Sequence, residues 1–81
     1  MTARYSNRFL HQYSAAPAAV RKAFDKQSSL LLENLNHPSL RAKKYHATLD
    51  LWQSHVNRNW RFYFTIEGDT YHLHELTKHP K

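Results

Sequence analysis

Every second position of one run in the second half of the chain is apolar: Trp60, Phe62, Phe64 and Ile66. The residues between them are arginine, tyrosine, threonine and, at the end, glutamate. A period of two places alternate side chains on opposite faces of a β-strand. The run therefore predicts a strand with one apolar face, which other elements must cover, and one polar face that can stay in water.

The dipeptide Gly68-Asp69 follows this strand and predicts a two-residue hairpin turn, because glycine at the first turn position suits type II′. Pairing Glu67 with Thr70 across the turn brings apolar positions of both strands together. The register that follows pairs Ile66 with Tyr71, Phe64 with Leu73, and Tyr63 with His74.

A third strand ends near Val56 and reaches the alternating run through a loop around Asn59. Val56 belongs on the apolar face, and pairing it with Phe62 sets His55 beside Tyr63. The polar face then carries a cross-strand row of His55, Tyr63 and His74, with Arg61 one step along and Asn57 opposite it.

The first half of the chain predicts a short edge strand over residues 3–5 and then two helices. Ser6 and Asn7 are candidate caps of the first helix, and Pro17 suits the first position of the second. The first helix has its apolar face at Phe9, Leu10 and Tyr13. The second has its apolar face at Val20, Phe24, Gln27, Leu31 and Leu35, and it ends at Asn36-His37-Pro38.

Residues 39–45 predict a further short strand with basic residues on its exposed side, before a loop at residues 46–48. The densest basic cluster of the sequence lies here, at Arg41, Lys43 and Lys44. The predicted fold is α+β and forms one domain over residues 1–81. Two N-terminal helices pack on a mostly antiparallel sheet of about four to five strands.

Charge indicates the partner. Lys and Arg number 12 against 6 Asp and Glu, which gives a net charge of +6. A small and strongly basic domain is typical of proteins that bind nucleic acid or an acidic protein, although the charge can also serve solubility alone. The chain has no cysteine and no apolar run long enough to cross a membrane, so we expect a cytoplasmic protein with no membrane partner.

The polar face also carries side chains that suit acid–base and phosphate chemistry. They are His55, Arg61, Tyr63 and, near the end of the sequence, His79. RNA can be cut without a metal when a base removes the 2′-hydroxyl proton, a cation neutralises the phosphorane-like charge and an acid protonates the leaving oxygen. Histidine suits the acid and base roles near neutral pH, and arginine offers a planar fork to phosphate oxygens. Tyr63 can stack on an unpaired base. The alternative is that these are ordinary solvated side chains of an exposed strand face.

Two other constellations are weaker. His72 and His74 share a strand face at a spacing that can chelate a metal, but a third ligand is lacking, so no metal site is predicted.

With one glycine and no paired carboxylates, the sequence disfavours kinases, nucleotide hydrolases and glycosidases. Arg41, Lys43 and Lys44, with aromatic residues nearby, are typical of a surface that binds single-stranded nucleic acid.

Several motifs, taken in their order along the chain, resemble those of the RelE/ParE superfamily, the small toxins of bacterial type II toxin–antitoxin systems. The resemblance is greatest to the RelE-like and YafQ-like members. The most specific stretches are His-Pro-Ser-Leu-Arg at 37–41 and Trp-Arg-Phe-Tyr-Phe-Thr-Ile-Glu-Gly-Asp at 60–69. The resemblance implies a ribosome-dependent mRNA endoribonuclease that inhibits translation without metal or cofactor. The implied partners are a cognate antitoxin, mRNA and the ribosome.

The resemblance also implies roles for single residues. Arg61 matches the arginine near the scissile phosphate of RelE-like toxins, while His79 and His55 match the two active-site histidines of YafQ-like toxins. Asn59 stands where that branch has an aspartate. The predicted catalytic residues are therefore His79, His55 and Arg61, and the predicted RNA-binding residues are Arg41, Lys43, Lys44 and Tyr63.

Two alternatives stay open. A ParE-like toxin would bind DNA gyrase and cut nothing, and the same scaffold serves both activities. A degenerate homologue would only bind its antitoxin. The two histidines and the arginine on the polar face favour the nuclease, whereas Asn59 keeps the degenerate form open.

Overall fold

The computed structural model describes residues 1–79, which form two helices and one five-stranded sheet. The elements in chain order are β1 (Thr2–Tyr5), α1 (Asn7–Ala15), α2 (Ala18–Glu33), a 3₁₀ turn (Pro38–Leu40), β2 (Lys43–His46), β3 (Leu51–His55), β4 (Trp60–Glu67) and β5 (Thr70–Lys78). The strand order is β1-β5-β4-β3-β2, with β1 parallel to β5 and every other pair antiparallel. The predicted α+β class is confirmed.

The first helix begins at its predicted cap, and the second begins one residue later than predicted. The side-chain oxygen of Ser6 accepts a hydrogen bond of 3.0 Å from the backbone N–H of Phe9, which satisfies a donor that the first turn leaves free. Pro17 is the cap of α2 and precedes its first residue. Leu10 does not share the buried face of α1, because it is 51% exposed while Phe9 is buried. No helix in the described part of the chain is long and apolar enough to cross a membrane.

The helices cover the apolar face of the sheet, as the alternating run requires. Phe62 and Phe64 are fully buried, and Phe24 of α2 meets the ring of Phe62 edge to face at a centroid distance of 5.2 Å. Phe9 of α1 lies 5.0 Å from Phe24 and extends this aromatic column. The predicted face of α2 is buried at Val20, Phe24, Gln27 and Leu31, while Leu35 lies beyond the end of the helix.

The β4–β5 hairpin has the predicted register near its turn and a different one further along. Gly68 has a positive φ of 60°, as a primed hairpin turn requires. The pairs of Glu67, Ile66 and Phe64 are as predicted, but Tyr63 pairs with Glu75 and not with His74. The cause is a β-bulge between Tyr63 and Phe64, which leaves His74 as an extra residue on β5.

The β3–β4 register differs from the prediction by two residues. His55 pairs with Arg61 and Gln53 pairs with Tyr63, so the predicted Val56–Phe62 and His55–Tyr63 pairs are wrong. The reason is a tighter loop: the N–H of Val56 donates to the carbonyl of Trp60 at 3.0 Å, so that only residues 57–59 lie between the two strands. A shift of two residues keeps each side chain on its predicted face.

Strand β2 begins four residues later than predicted. Residues 38–40 form the 3₁₀ turn, and Arg41 follows in the left-handed conformation with a φ of 46°. The Nδ1 of His37 accepts a hydrogen bond from the backbone N–H of Ser39 at 3.2 Å and caps this turn. The chain therefore bends at Arg41 and becomes extended only from Lys43.

Candidate active-site cleft

An open cleft of about 450 Å³ lies at the β3–β4 loop end of the sheet's polar face. Its lining is one imidazole and three guanidinium groups, from His55, Arg41, Arg58 and Arg61. Among residues 1–79, no acidic side chain lines it. Guanidinium groups that converge on one space form a site for an anion, and a phosphate matches their planar donors.

His55 is the last residue of β3 and stands directly opposite Arg61. Partial burial lowers the pKa of His55, and the positive charges of Arg61, Arg41, His79 and Lys43 lower this pKa further. Its imidazole is therefore neutral at pH 7, which is the form that can accept a proton. A bound anion would offset these charges and raise the pKa of His55 again.

Arg61 is only 8% exposed, and part of its guanidinium group holds the loop. Its Nη1 lies 2.9 Å from the carbonyl oxygen of Asn57, 3.2 Å from that of Arg58 and 3.0 Å from that of Trp60. The Oδ1 of Asn57 also accepts from the N–H groups of Asn59 and Trp60, at 2.9 Å each. The predicted phosphate contact is thus also the residue that shapes the loop.

Arg58 was not predicted as a site residue, although its side chain lines the cleft. It is exposed at the apex of the loop, where the chain turns back over the polar face. A sequence pattern identifies a loop but not the direction of its side chains. The composition Asn-Arg-Asn at 57–59 was the available signal, since a cation stands between two turn-forming residues.

His79 is fixed beside the cleft by its backbone. Its N–H donates to the carbonyl of Asn59 at 2.7 Å, just beyond the last strand pair of Trp60 with Lys78. Its side chain is exposed and makes no hydrogen bond in the described structure. Arg61 on the central strand thus stands between the strand that ends in His55 and the strand that leads to His79.

Lys43 and Lys44 point to opposite faces of the sheet, since they are consecutive in β2. Lys43 pairs with Gln53 on the polar face. Lys44 lies 5.9 Å from the ring centre of Trp52 and forms an ion pair with Asp50, away from the cleft. The structure thus brings Lys43 and Arg41 together with the cleft and leaves Lys44 apart.

Tyr63 is 7% exposed and lies on β4, the central strand of the sheet. Its hydroxyl accepts a hydrogen bond from the Nε2 of Gln53 at 3.0 Å, and the ring of Tyr45 packs edge to face on it at 5.2 Å. The aromatic surface open to solvent here belongs to Tyr45, which is 58% exposed. Tyr63 supports that ring from below.

A buried amide and a buried hydroxyl join the two halves of the cleft. The Nε2 of Gln27 in α2 donates to the carbonyl of His55 at 2.9 Å and to that of Ser39 at 3.0 Å. The hydroxyl of Ser54 donates to the carbonyl of Leu40 at 2.9 Å. These bonds set the distance between β3 and the turn that carries Arg41.

Replacing Gln27 by leucine should lower the free energy of unfolding by about 1–3 kcal/mol, because two carbonyls lose their donor inside the protein. Urea unfolding followed by circular dichroism measures this change. Ser29→Ala on the exposed side of α2 is the matched control and should stay within about 0.5 kcal/mol of the wild type. An unchanged midpoint for Gln27→Leu would show that these bonds contribute nothing.

The two histidines considered as metal ligands have other neighbours. His72 lies 3.8 Å from a carboxylate oxygen of Glu67, and the Nε2 of His74 is 2.8 Å from the hydroxyl of Thr65. Within residues 1–79 no group of three or more His, Asp or Glu side chains is arranged to hold a metal ion. The donors of the cleft itself are cations and suit an anion.

Two N-terminal helices on a five-stranded sheet, with β1 parallel at one edge, define an α+β fold that solved structures share. The YoeB/ParE toxin from Agrobacterium tumefaciens superposes with a TM-score of 0.82 over 99% of this chain and 100% of that one, at 9% identity. No family model matches the chain, and no curated protein matches it in sequence.

Two further solved structures agree. The intact E. coli RelBE toxin-antitoxin complex superposes with a TM-score of 0.74 at 12% identity and covers 99% of this chain and 98% of that one. YafQ from E. coli gives 0.70 at 13% identity, over 94% and 90% of the two chains. The chain has the RelE/ParE toxin fold, which confirms the fold that the sequence resemblance implied.

Proposed function

We propose that this chain is the toxin of a type II toxin–antitoxin system and an endoribonuclease that cuts mRNA on the ribosome. The cleft carries the proposal: a neutral imidazole faces an array of guanidinium groups, and a second imidazole is tethered beside them. The fold shared with YoeB/ParE, RelE and YafQ toxins supports the toxin role.

His55 is the general base of this mechanism. Its lowered pKa keeps the imidazole unprotonated at neutral pH, so that it can take the proton of an RNA 2′-hydroxyl. The freed oxygen attacks the adjacent phosphorus. The new P–O bond forms as the bond from phosphorus to the 5′-oxygen breaks, and the products are a 2′,3′-cyclic phosphate and a free 5′-hydroxyl.

The arginines and His79 act on the other charges of the reaction. Arg58 and Arg41 neutralise the non-bridging phosphate oxygens, together with the part of Arg61 that faces the cleft. His79 protonates the leaving 5′-oxygen from the other side of Arg61. Such general acid–base pairs typically contribute about 10²–10⁴-fold in rate for each group.

The neighbouring surface serves to hold the RNA. Lys43 contacts the backbone from β2, and the exposed ring of Tyr45, supported by Tyr63, stacks on an unpaired base. Lys44 contributes only to the general positive field, because its ammonium group is engaged by Asp50.

The partners follow from the same proposal. An antitoxin binds the chain in the resting cell, and the likeness of fold to the RelBE toxin-antitoxin complex supports this partner. mRNA in the ribosome is the substrate, and the cytoplasm is the site of action. No metal ion or other cofactor takes part in the proposed steps.

Mapping of 5′ ends in cellular mRNA after a short induction tests this function. We expect new cuts inside translated codons with the wild-type chain, and none with His79→Ala at equal protein level. Growth arrest with intact mRNA would contradict the nuclease and favour a gyrase-type target. Neither arrest nor cuts would favour a chain that only binds its antitoxin.

A further inference from the structure

A second group of basic side chains lies on the polar face of the sheet, far along β4 from the cleft. Arg4 of β1 pairs with His72 of β5, and His72 pairs with Thr65 of β4. His74 reaches the same threonine, with its Nε2 2.8 Å from the hydroxyl oxygen. Arg4, His72 and His74, here termed the edge cluster, line a separate depression of about 370 Å³.

The edge cluster and the cleft open on the same face. Ala3 and Tyr5 turn toward the helices, where the ring of Tyr5 lies 5.3 Å from that of Phe9, so Arg4 between them points the other way. On β4, Thr65 has the same parity as Arg61 and lies four residues away. At about 3.3 Å per residue, the two groups are roughly 13 Å apart along the strand.

The donor set of the edge cluster suits a phosphate group. It offers a permanent guanidinium charge, two imidazoles that become cations on protonation, and the hydroxyl of Thr65. The acidic group that faces it is Glu67, which is 3.8 Å from His72 with its side chain 86% exposed. Glu75, on the same strand, pairs instead with Arg8 of α1 at 4.0 Å. In the described residues no third ligand completes a metal site here, so the cluster favours an anion.

We propose that the edge cluster is a second phosphate-binding site, which takes a phosphodiester of the same RNA strand that occupies the cleft. The identity of the ligand as RNA rests on the proposed function, whereas the affinity for phosphate does not. A strand held at both places would cross the exposed ring of Tyr45 and the polar face between them. The cluster would then align the RNA without touching the reacting atoms.

The phosphate affinity is tested first, by following imidazole resonances during a titration with inorganic phosphate at about pH 6, where much free imidazole is protonated. Potassium chloride keeps the ionic strength constant. We expect saturable shifts for His72 and His74 that Arg4→Ala weakens by about tenfold. The exposed His11 of α1 is the internal control and should not follow them. Shifts that do not saturate, or that chloride reproduces, would overturn the site.

The RNA contact is tested with 2′-O-methyl oligonucleotides, which bind but lack the nucleophile. The double variant His72→Gln/His74→Gln should bind an octanucleotide about tenfold more weakly and a dinucleotide as tightly as the wild type does. His11→Gln should change neither. If phosphate saturates the cluster but the octanucleotide is unaffected, the site takes free anions and the RNA proposal is wrong. If the wild type binds no oligonucleotide, the RNA proposal is wrong while the phosphate site stands, and the mapping of mRNA ends in cells decides the proposed function separately.

Discussion

His79→Ala is expected to lower the rate of RNA cleavage by about 10²–10⁴-fold with an unchanged fold. The side chain of His79 is exposed and makes no hydrogen bond in the described structure, so its removal leaves no cavity. The bond that holds this residue beside the loop comes from its backbone N–H to Asn59, and alanine keeps that bond. The variant therefore removes an acid without moving its neighbours. Cleavage of a defined RNA by purified protein on programmed ribosomes measures the effect.

His55→Ala should cost a similar factor for a different reason, since it removes the base. The double variant should be hardly slower than either single variant, because an acid and a base that act in one step are not additive. His46→Ala, at the exposed end of β2, is the matched control and should cleave normally. Wild-type cleavage rates in His79→Ala would exclude His79 from the reaction. A rate loss in the double variant equal to the product of the two single losses would argue against an acid and a base that act in one step.

The pH dependence of kcat/KM tests the role of His55 as the base. Burial and the nearby arginines lower the pKa of His55, so the acidic limb of kcat/KM should lie below the usual imidazole value of about 6.5. Arg41→Ala removes one of these charges and should move the acidic limb to higher pH. An acidic limb that stays in place in Arg41→Ala would show that His55 does not set it.

The alternating run at 60–66 was enough to predict the sheet and its two faces. Because a face depends only on the parity of a position, His55 and Arg61 share the polar face in spite of a two-residue error in register. The register itself depends on the side chain of Asn57, which accepts hydrogen bonds from the N–H groups of Asn59 and Trp60 and tightens the loop. Hydrophobic periodicity contains no information about such a bond.

The site was predicted less completely than the fold, for related reasons. Arg58 was missed because loop side chains follow no period, and Arg41 enters the cleft only through its left-handed backbone. Tyr63 lies on the predicted face but is covered, since Tyr45 reaches over it from β2, across the intervening strand β3. The exposure of Tyr63 and Tyr45 is therefore decided by a contact between strands that are not consecutive in the sequence.

Arg61→Ala is expected to lose mainly stability and Arg58→Ala mainly RNA affinity, although both remove one charge from the same cleft. The guanidinium of Arg61 is buried and binds three loop carbonyls, so its loss should lower the free energy of unfolding by about 2–4 kcal/mol. That of Arg58 is exposed, so its loss should change stability by less than about 0.5 kcal/mol. Urea unfolding of both variants measures the difference.

RNA affinity supplies the second half of this comparison. Arg58→Ala should weaken binding of an uncleavable oligonucleotide and reduce the slope of log affinity against log salt by about 1, because one phosphate contact is lost. Lys22→Ala, on the exposed side of α2, removes the same charge at a distance and should leave the slope unchanged. Arg61→Ala should lose affinity mainly through the loosened loop, and Arg61→Lys, which keeps the charge but not the planar fork, should not restore it. Full rescue by lysine would mean that Arg61 acts as a simple charge on phosphate and that its bonds to the loop are incidental.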